Sequence, residues 1–141
     1  MKFENYNYFM ESIEKSIREF LNRYCSNGAP LYAGISGGAD SMALLTALHK
    51  IGAKVTALHV NFHLRGDESN QDQLFVENFC KERGIECRVY ECDTTTYAKE
   101  NGISIEMAAR DLRYKWFTEQ CGTNGYILIA HNASFLQHTS C

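Results

Sequence analysis

Residues 31–41 read LYAGISGGADS, a short apolar run that leads into a glycine pair and the start of a helical pattern. An apolar run of this length before a turn is typical of a buried strand. Two adjacent glycines let the backbone turn tightly and approach a ligand closely. The helix that follows presents unpaired N–H groups and a partial positive charge. The stretch therefore predicts a strand, a turn and a helix that together suit a pyrophosphate group.

The same alternation of strands and helices continues on both sides of this stretch. Apolar spacing predicts helices over residues 8–24, 42–52, 71–83 and 104–121, a short helix or turn over 94–101, and strands over 31–35, 55–60, 86–91 and 126–130. This order predicts parallel βαβ units, and hence an α/β fold with a Rossmann-like parallel sheet flanked by helices. Ligands of such sheets bind at the carboxyl ends of the strands.

Several apolar and aromatic side chains are expected to pack inside this fold. In the helix over 71–83 we expect four to point inward, namely Leu74, Phe75, Val76 and Phe79. On the helix over 104–121 we expect Tyr114 and Trp116 to be packing residues.

Composition limits the classes of protein that this chain can represent. The 141 residues suit one domain, and 45% apolar against 22% charged residues is typical of a globular one. The net charge of −3, from 14 basic and 17 acidic residues, excludes a dedicated basic nucleic-acid-binding domain. There is no apolar run long enough to cross a membrane and no secretory signal at the start, so we expect a cytoplasmic protein.

The six cysteines form no CxxC pair, so their spacing favours neither a zinc knuckle nor a thioredoxin-type site. We expect buried or half-buried free thiols in a reducing compartment. A catalytic or sulfur-carrying cysteine is the alternative.

The glycine loop, residues 36–38, is followed by Asp40, a carboxylate where an anion would bind. A carboxylate beside phosphate is repulsive unless a cation lies between them, so Asp40 is a candidate ligand of Mg²⁺. The alternative is that Asp40 only interacts favourably with the helix N-terminus. Ser36 and Ser41 add hydroxyl donors. The loop is neither a Walker A motif nor a dinucleotide fingerprint, since GK[ST] and GxGxxG are both absent.

Two further groups of polar residues are candidates for ligand binding. Residues 59–61 end the second predicted strand, where an adenine or ribose could lie against the backbone. His59 and His63 could instead be structural, and a zinc site is not favoured because they straddle a junction between strand and loop.

Arg110 and Arg113 are three apart on a predicted helix, so they share a face that could hold phosphates or an RNA backbone. The alternative is a solvated ion pair between Glu106 and Arg110, worth about 0.3–0.5 kcal/mol.

The hexapeptide SGGADS at residues 36–41 resembles the PP-loop, SGGxDS, of the N-type ATP pyrophosphatases. These enzymes split ATP into AMP and pyrophosphate to adenylate a substrate. Three further stretches resemble motifs of one group, the tRNA(Ile)-lysidine synthases. HVNFHLRGDES at 59–69 resembles HVNHxLRxxS, EMAARDLRY at 106–114 resembles ExxARxxRY, and AHNA at 130–133 resembles the start of AHxxDDxxET. The resemblance covers roughly residues 30 to 133, with all motifs in order.

The resemblance implies an adenine nucleotide alpha hydrolase-like fold and an ATP-dependent ligase that forms a carbon–nitrogen bond. ATP adenylates the C2 oxygen of the wobble cytidine of tRNA(Ile), pyrophosphate leaves, and the amine of L-lysine then expels AMP. Implied cofactors are ATP and Mg²⁺. The implied ATP-binding residues are Ser36, Gly37, Gly38, Ala39, Asp40, Ser41, His59, Asn61 and Arg65. The implied catalytic residues are Asp40, Arg110 and Arg113, and Asp40 is the implied metal ligand.

The end of the chain departs from the family pattern. The motif requires two aspartates after Ala133 and then a glutamate, but the chain has Ser134, Phe135 and His138 there, and only Thr139 matches. Those acidic residues are expected to bind magnesium and the lysine ammonium. We therefore expect a chain cut short by a frameshift or a truncated gene, which binds ATP weakly and is unable to make lysidine alone.

The expected organisation follows from this departure. Residues 1–28 form an N-terminal helix, 29–133 a partial PP-loop ATP-binding domain and 134–141 an atypical tail. The sheet would be incomplete at its carboxyl-terminal end, and the exposed edge would favour self-association. Two other functions stay open. One is a non-catalytic adenine-nucleotide-binding module, and the other is a different PP-loop tRNA-modifying enzyme such as a thiolase, against which the absence of CxxC speaks.

Overall fold

The computed structural model describes residues 2–131 and 135–140, which form a sheet with helices on both of its faces. The helices are α1 (Lys2–Tyr24), α2 (Ala39–Lys50), α3 (Asp67–Arg83), α4 (Thr94–Asn101) and α5 (Ile105–Cys121). The strands are β1 (Leu31–Gly34), β2 (Thr56–Asn61), β3 (Glu86–Glu91), β4 (Tyr126–His131) and β5 (Phe135–Ser140). The predicted elements are therefore present in the predicted order.

The sheet has the strand order β3-β2-β1-β4-β5. The first four strands in that order are parallel, and β5 is antiparallel to β4. The chain moves from β1 to β2 on one side of the sheet, whereas β4 lies on the other side of β1. A switch point in strand order therefore lies between β1 and β4, and in open α/β sheets the ligand crevice forms at the carboxyl ends beside such a point.

The core is divided by the sheet into two layers. The larger layer packs α1, α2 and α3 against one face, with fully buried Ile17, Leu45 and Val76. The smaller layer lies under α5 on the other face and contains Leu58 and Phe117. Since parallel strands covered on both faces lose nearly all contact with water, β1 and β2 are the apolar runs that the sequence predicted.

Helix α3 differs from its predicted form in two respects. It begins at Asp67 rather than near residue 71, because Asp67 and Glu68 in the first turn interact favourably with the helix dipole. The prediction that Leu74 and Phe75 point inward is wrong, since their exposed fractions are 57% and 53%. Val76 is buried, and at 3.6 residues per turn its two preceding neighbours are rotated away from the sheet.

On α5, Trp116 packs as predicted, with its ring centroid 5.5 Å from that of Tyr90. The same prediction for Tyr114 is wrong, because its exposed fraction is 64%. Buried Leu112 and Phe117 set the inner face of α5, and Tyr114 falls outside that stripe.

The expectation of an open sheet edge at β4 is wrong. The backbone of β5 pairs with β4 over six residues, from Tyr126 opposite Ser140 to His131 opposite Phe135. The free N–H and C=O groups of an edge strand can pair with the backbone of another segment, and β5 occupies that position beside β4. Self-association through that edge therefore has no support from the structure.

The described residues contain no helix that is both long and apolar enough to cross a membrane. The five described cysteines are free thiols, and each is buried or half-buried, as predicted.

Candidate nucleotide-binding site

A cavity of about 740 Å³ opens at the carboxyl ends of β1, β2 and β4, at the switch point of the sheet. Its floor includes Gly34, Leu58 and Ile129, and Phe117 of α5 forms part of one wall. Seven of the residues predicted from the sequence line it, namely Ser36, Ser41, His59, Asn61, Arg65, Arg110 and Arg113. Their roles in binding remain predictions, but the fold brings them to one place.

The glycine loop is folded around two serine hydroxyls. Ser41 Oγ accepts hydrogen bonds from the N–H groups of Ser36 (3.2 Å) and Gly37 (3.1 Å) and donates to the carbonyl of Gly38 (3.0 Å). Ser36 Oγ accepts from the N–H of Gly38 at 3.2 Å. Gly37 has a φ of +95°, which glycine adopts without strain. Two loop amides thus converge on one oxygen, the arrangement that a phosphate oxygen would need.

The N-terminus of α2 beside the loop is uncapped. Its N-cap residue is Gly38, no side chain caps it, and the first helical bond runs from the N–H of Met42 to the carbonyl of Gly38. Among the described residues, the N–H groups of Ala39, Asp40 and Ser41 consequently have no acceptor. Gly37, Gly38, Ala39 and Asp40 do not line the cavity, whereas Ser36 and Ser41 on either side of them do.

Asp40 is exposed in the first turn of α2, and its carboxylate has no hydrogen bond or ion pair with the described residues. No group of three or more metal-binding side chains occurs in the described part of the chain. A metal held by protein groups alone is therefore not supported here. Mg²⁺ that arrives with phosphates needs only one or two carboxylates, and Asp40 fits that requirement.

Replacing Ser41 with alanine is expected to lower the free energy of unfolding by about 1–2 kcal/mol. Ser41 is 5% exposed, and its loss leaves two loop amides without their acceptor. Urea unfolding measures the change, and Ser36→Ala is the matched control. Since Ser36 is exposed and serves one backbone amide, its change should stay below about 1 kcal/mol. Equal losses in the two variants would contradict the central role of Ser41.

His59 is 3% exposed and lines the cavity. Its Nδ1 lies 2.7 Å from the carbonyl oxygen of Ile35, which can only accept, so Nδ1 carries the hydrogen. The ring therefore links the end of β1 to β2, and in the neutral ring Nε2 is left as an acceptor. This bond supports the structural alternative for His59 without excluding contact with a ligand.

The side chain of Asn61 is committed to protein contacts. It is 1% exposed, and its Nδ2 donates both hydrogens, to Asn70 Oδ1 (3.0 Å) and Gln73 Oε1 (2.9 Å). Its Oδ1 accepts from the N–H of His63 at 3.0 Å. The predicted ATP-binding residue Asn61 thus fixes the segment between β2 and α3. His63 in turn lies 3.0 Å from Glu91 rather than beside His59, so the two histidines do not meet at a zinc site.

Three cationic side chains line the cavity, namely Arg65, Arg110 and Arg113. Arg110 and Arg113 have no ion pair or hydrogen bond among the described residues, so the alternative pairing of Glu106 with Arg110 is not formed. Partial burial, and then the nearby charge of Arg110, lower the pKa of Arg113 below its usual value. A bound anion would relieve both effects. Two unpaired cations at the wall of a cavity are therefore suited to contact an anion, and that role stays a prediction.

Several residues that line this site were not predicted from the sequence, among them Asp72 and Ser69 of α3, Phe117 of α5 and Gly34 of β1. Asp72 forms an ion pair with Arg65, and it is the one carboxylate among the described residues that line the cavity. No helical spacing rule predicts the pairing of Arg65 with Asp72, because Arg65 precedes α3 and Asp72 lies within it. The sequence pattern of Ser69, Asp72 and Val76 on one helix face is the only signal that could have placed Asp72 near the sheet.

A family profile described as "PP-loop domain" matches residues 9–141. The chain belongs to the PP-loop family. The segment whose sequence resembles the PP-loop motif, residues 36–41, forms the glycine loop and the first turn of α2 and is called the PP-loop below.

Curated relatives of this PP-loop chain confirm its resemblance to tRNA(Ile)-lysidine synthases. One from Bacteroides thetaiotaomicron is 51% identical over 105 residues, which cover 72% of the chain and 24% of the relative. One from Bacillus subtilis is 41% identical over 125 residues, which cover 84% of the chain and 26% of the relative. The chain spans about a quarter of the length of these relatives.

Two solved structures have a similar fold. An NH3-dependent NAD synthetase from Campylobacter jejuni superposes with a TM-score of 0.63 at 19% identity, over 86% of this chain and 54% of that chain. An NMN synthetase from Francisella tularensis gives a TM-score of 0.59 at 18% identity, over 84% and 52% of the respective chains. Together with the PP-loop match, these likenesses confirm the predicted fold class, a Rossmann-like, adenine nucleotide alpha hydrolase-like sheet.

Proposed function

We propose that this chain binds ATP in the cavity and contributes the adenylating site of a tRNA(Ile)-lysidine synthase reaction. The observation that carries this proposal is an uncapped helix N-terminus beside a cavity at the switch point of the sheet, which Ser36, Ser41 and two unpaired cations, Arg110 and Arg113, line. The polyphosphate would lie at the PP-loop, and the adenosine would extend toward the carboxyl end of β2.

The proposed chemistry transfers AMP to the C2 oxygen of the wobble cytidine of tRNA(Ile). A bond forms between that oxygen and the α-phosphorus of ATP, and the bond from the α-phosphorus to the bridging oxygen breaks. Pyrophosphate leaves with the electron pair. In the following step the amine of L-lysine attacks C2 and AMP leaves, which gives lysidine and frees a proton.

The protein groups would act by positioning and by charge stabilisation. The amides of Ala39, Asp40 and Ser41, which have no acceptor among the described residues, would meet the charge of the departing pyrophosphate without reorganisation. Arg110 and Arg113, which line the same cavity, would stabilise the developing negative charge. Loss of one well-placed donor in such a site typically costs about 3 kcal/mol of barrier.

Asp40 would hold Mg²⁺ that arrives with ATP. The bound ion supplies neutralisation of the phosphate charge, which otherwise repels this exposed carboxylate. Its alternative role, a favourable interaction with the dipole of α2, requires no metal.

Titration calorimetry of the 141-residue chain with ATP tests the proposal. We expect saturable binding of ATP with Mg²⁺, which Asp40→Asn weakens about tenfold, a change of about 1.4 kcal/mol. With EDTA the same substitution should leave affinity unchanged or slightly higher, because a repulsive charge has been removed. Glu100→Gln, which alters an exposed carboxylate of α4, is the control and should change affinity less than twofold. No binding of ATP by the wild-type chain would refute the proposal.

The same preparation separates adenylation from ligation. With ATP and a tRNA(Ile) transcript we expect pyrophosphate release above the level with ATP alone. We expect no lysidine, because the three motif positions for the acids expected to bind magnesium and lysine carry Ser134, Phe135 and His138 instead. Of these three, Ser134 lies outside the described residues. Detection of lysidine would overturn that expectation.

One alternative function has support of its own. The same departures from the motif favour a non-catalytic adenine-nucleotide-binding module, and ATP binding without tRNA-dependent pyrophosphate release would support it. A thiolase is disfavoured, because no cysteine occurs among the described residues that line the cavity.

A further inference from the structure

We propose that Asp72 is a positioning residue that aims the Arg65 guanidinium at the polyphosphate and stays bonded to it when nucleotide binds. This inference rests on the proposed binding of ATP. It adds a residue to the site that none of the sequence motifs contains.

Arg65 is fixed from both its side chain and its backbone. Its guanidinium forms ion pairs with Asp72 and, at 3.3 Å, with Glu68. Its N–H donates to Ser69 Oγ at 3.1 Å, and its carbonyl accepts from the N–H of Glu68 at 3.2 Å. The start of α3 therefore determines where this cation points.

Asp72 lies directly against the PP-loop. A Cβ atom built on Gly37 would lie 3.4 Å from Cβ of Asp72 and 3.6 Å from its Cγ. Asp72 and Arg65 also both line the cavity. The ion pair at the start of α3 thus lies beside the loop at which the phosphates would bind.

A carboxylate at this position needs a physical explanation, since it would repel a polyphosphate. The side chain of Asp72 is 34% exposed, so water screens its charge only partly. If Arg65 left Asp72 for a phosphate, an unpaired carboxylate would stay beside the anion. If the pair stays intact, the charge of Asp72 is cancelled. Arg65 carries five N–H donors, so after one bond each to Asp72 and Glu68 three remain for phosphate oxygens.

The sign of one substitution separates this role from a general charge effect. Removing a negative charge near a polyanion should, by Coulomb attraction alone, tighten ATP binding. If Asp72 positions Arg65, Asp72→Asn should instead weaken ATP binding about tenfold. AMP lacks the β- and γ-phosphates, so the affinity for AMP should change less than twofold. The ratio of the affinity for ATP to the affinity for AMP is the decisive readout.

Glu68→Gln is the matched control. It removes the same charge from another partner of Arg65, but Glu68 is 70% exposed and does not line the cavity. We expect less than a twofold change in the affinity for ATP. Asp72→Glu keeps the carboxylate and should restore at least part of the lost affinity.

A double-variant cycle measures the coupling between Asp72 and Arg65 in ATP affinity, which a purely structural role of Asp72 would not produce. In an Arg65→Ala background, Asp72→Asn should cause no further weakening, because the cation that Asp72 positions is absent. Calorimetry with ATP, ADP and AMP at constant Mg²⁺ and salt measures each member, and thermal unfolding checks that each variant is folded. If the Asp72→Asn variant does not fold, the ATP affinity of the Arg65→Ala variant is the test. An unchanged ATP affinity in Arg65→Ala would overturn the proposal.

The outcomes distinguish this inference from the proposed function. If the wild-type chain binds no ATP, both fail together. If it binds ATP and Asp72→Asn binds equally well or more tightly, the positioning role fails and the nucleotide site stands. Additive effects of Arg65→Ala and Asp72→Asn would likewise overturn the positioning role.

Discussion

Replacing Asn61 with alanine is expected to lower the free energy of unfolding by about 3 kcal/mol. The side chain is 1% exposed, and its removal breaks its bonds to Asn70, Gln73 and the N–H of His63. His63 has a φ of +52°, which non-glycine residues rarely adopt, so the bond from Asn61 also holds a strained turn. Urea unfolding followed by circular dichroism measures the change.

The matched control for this prediction is Asn70→Ala. Asn70 is exposed and loses only its single bond to Asn61, so its cost should be about 1 kcal/mol or less. Asn61→Ala should also weaken ATP binding, because the segment that Asn61 holds carries Arg65. Equal costs for the two substitutions would show that the other bonds of Asn61 contribute nothing.

Replacing Gly34 with valine is expected to lower the free energy of unfolding by about 3 kcal/mol or more. A Cβ atom on Gly34 would lie 2.9 Å and 3.0 Å from two ring carbons of Phe117 and 3.4 Å from Ile129 Cγ1. Phe117 is 8% exposed and packs against the sheet, so its ring cannot turn aside freely. Thermal and urea unfolding measure the effect, and the displaced ring should also narrow the cavity and weaken ATP binding.

A second substitution tests the cause of this loss. Phe117→Leu removes the ring that meets the new side chain, so the double variant should be less destabilised than the sum of the two single changes. Strict additivity would locate the cost elsewhere. Gly34→Ala should cost less than valine, about 1–3 kcal/mol, because only one carbon is added.

Most of the fold was predictable from local sequence patterns. Apolar spacing identified the parallel strands and their helices, and the alternation of the two identified a parallel sheet. The rule that ligands bind at the carboxyl ends of such strands then placed the glycine loop, His59 and Asn61 at one edge. These features depend on neighbours in sequence, so they can be read from it.

Predictions failed where a side chain's surroundings depend on the rotation of an element about its axis. Leu74 and Phe75 are apolar and lie in a helix, yet α3 turns Val76 toward the sheet and exposes them. Tyr114 is exposed for the same reason on α5. Composition alone does not specify which of several apolar neighbours faces the core.

By itself the sequence determined the elements, their order, the PP-loop and the family to which the chain belongs. Only the tertiary structure decided that Arg65 pairs with Asp72, that Asn61 is committed to α3, and that β5 pairs with the edge of β4. The physical reason is that strands, turns and helix ends arise from interactions between residues a few positions apart. Ion pairs, buried amide networks and strand pairing join groups that the packed sheet brings together, and no local pattern records them.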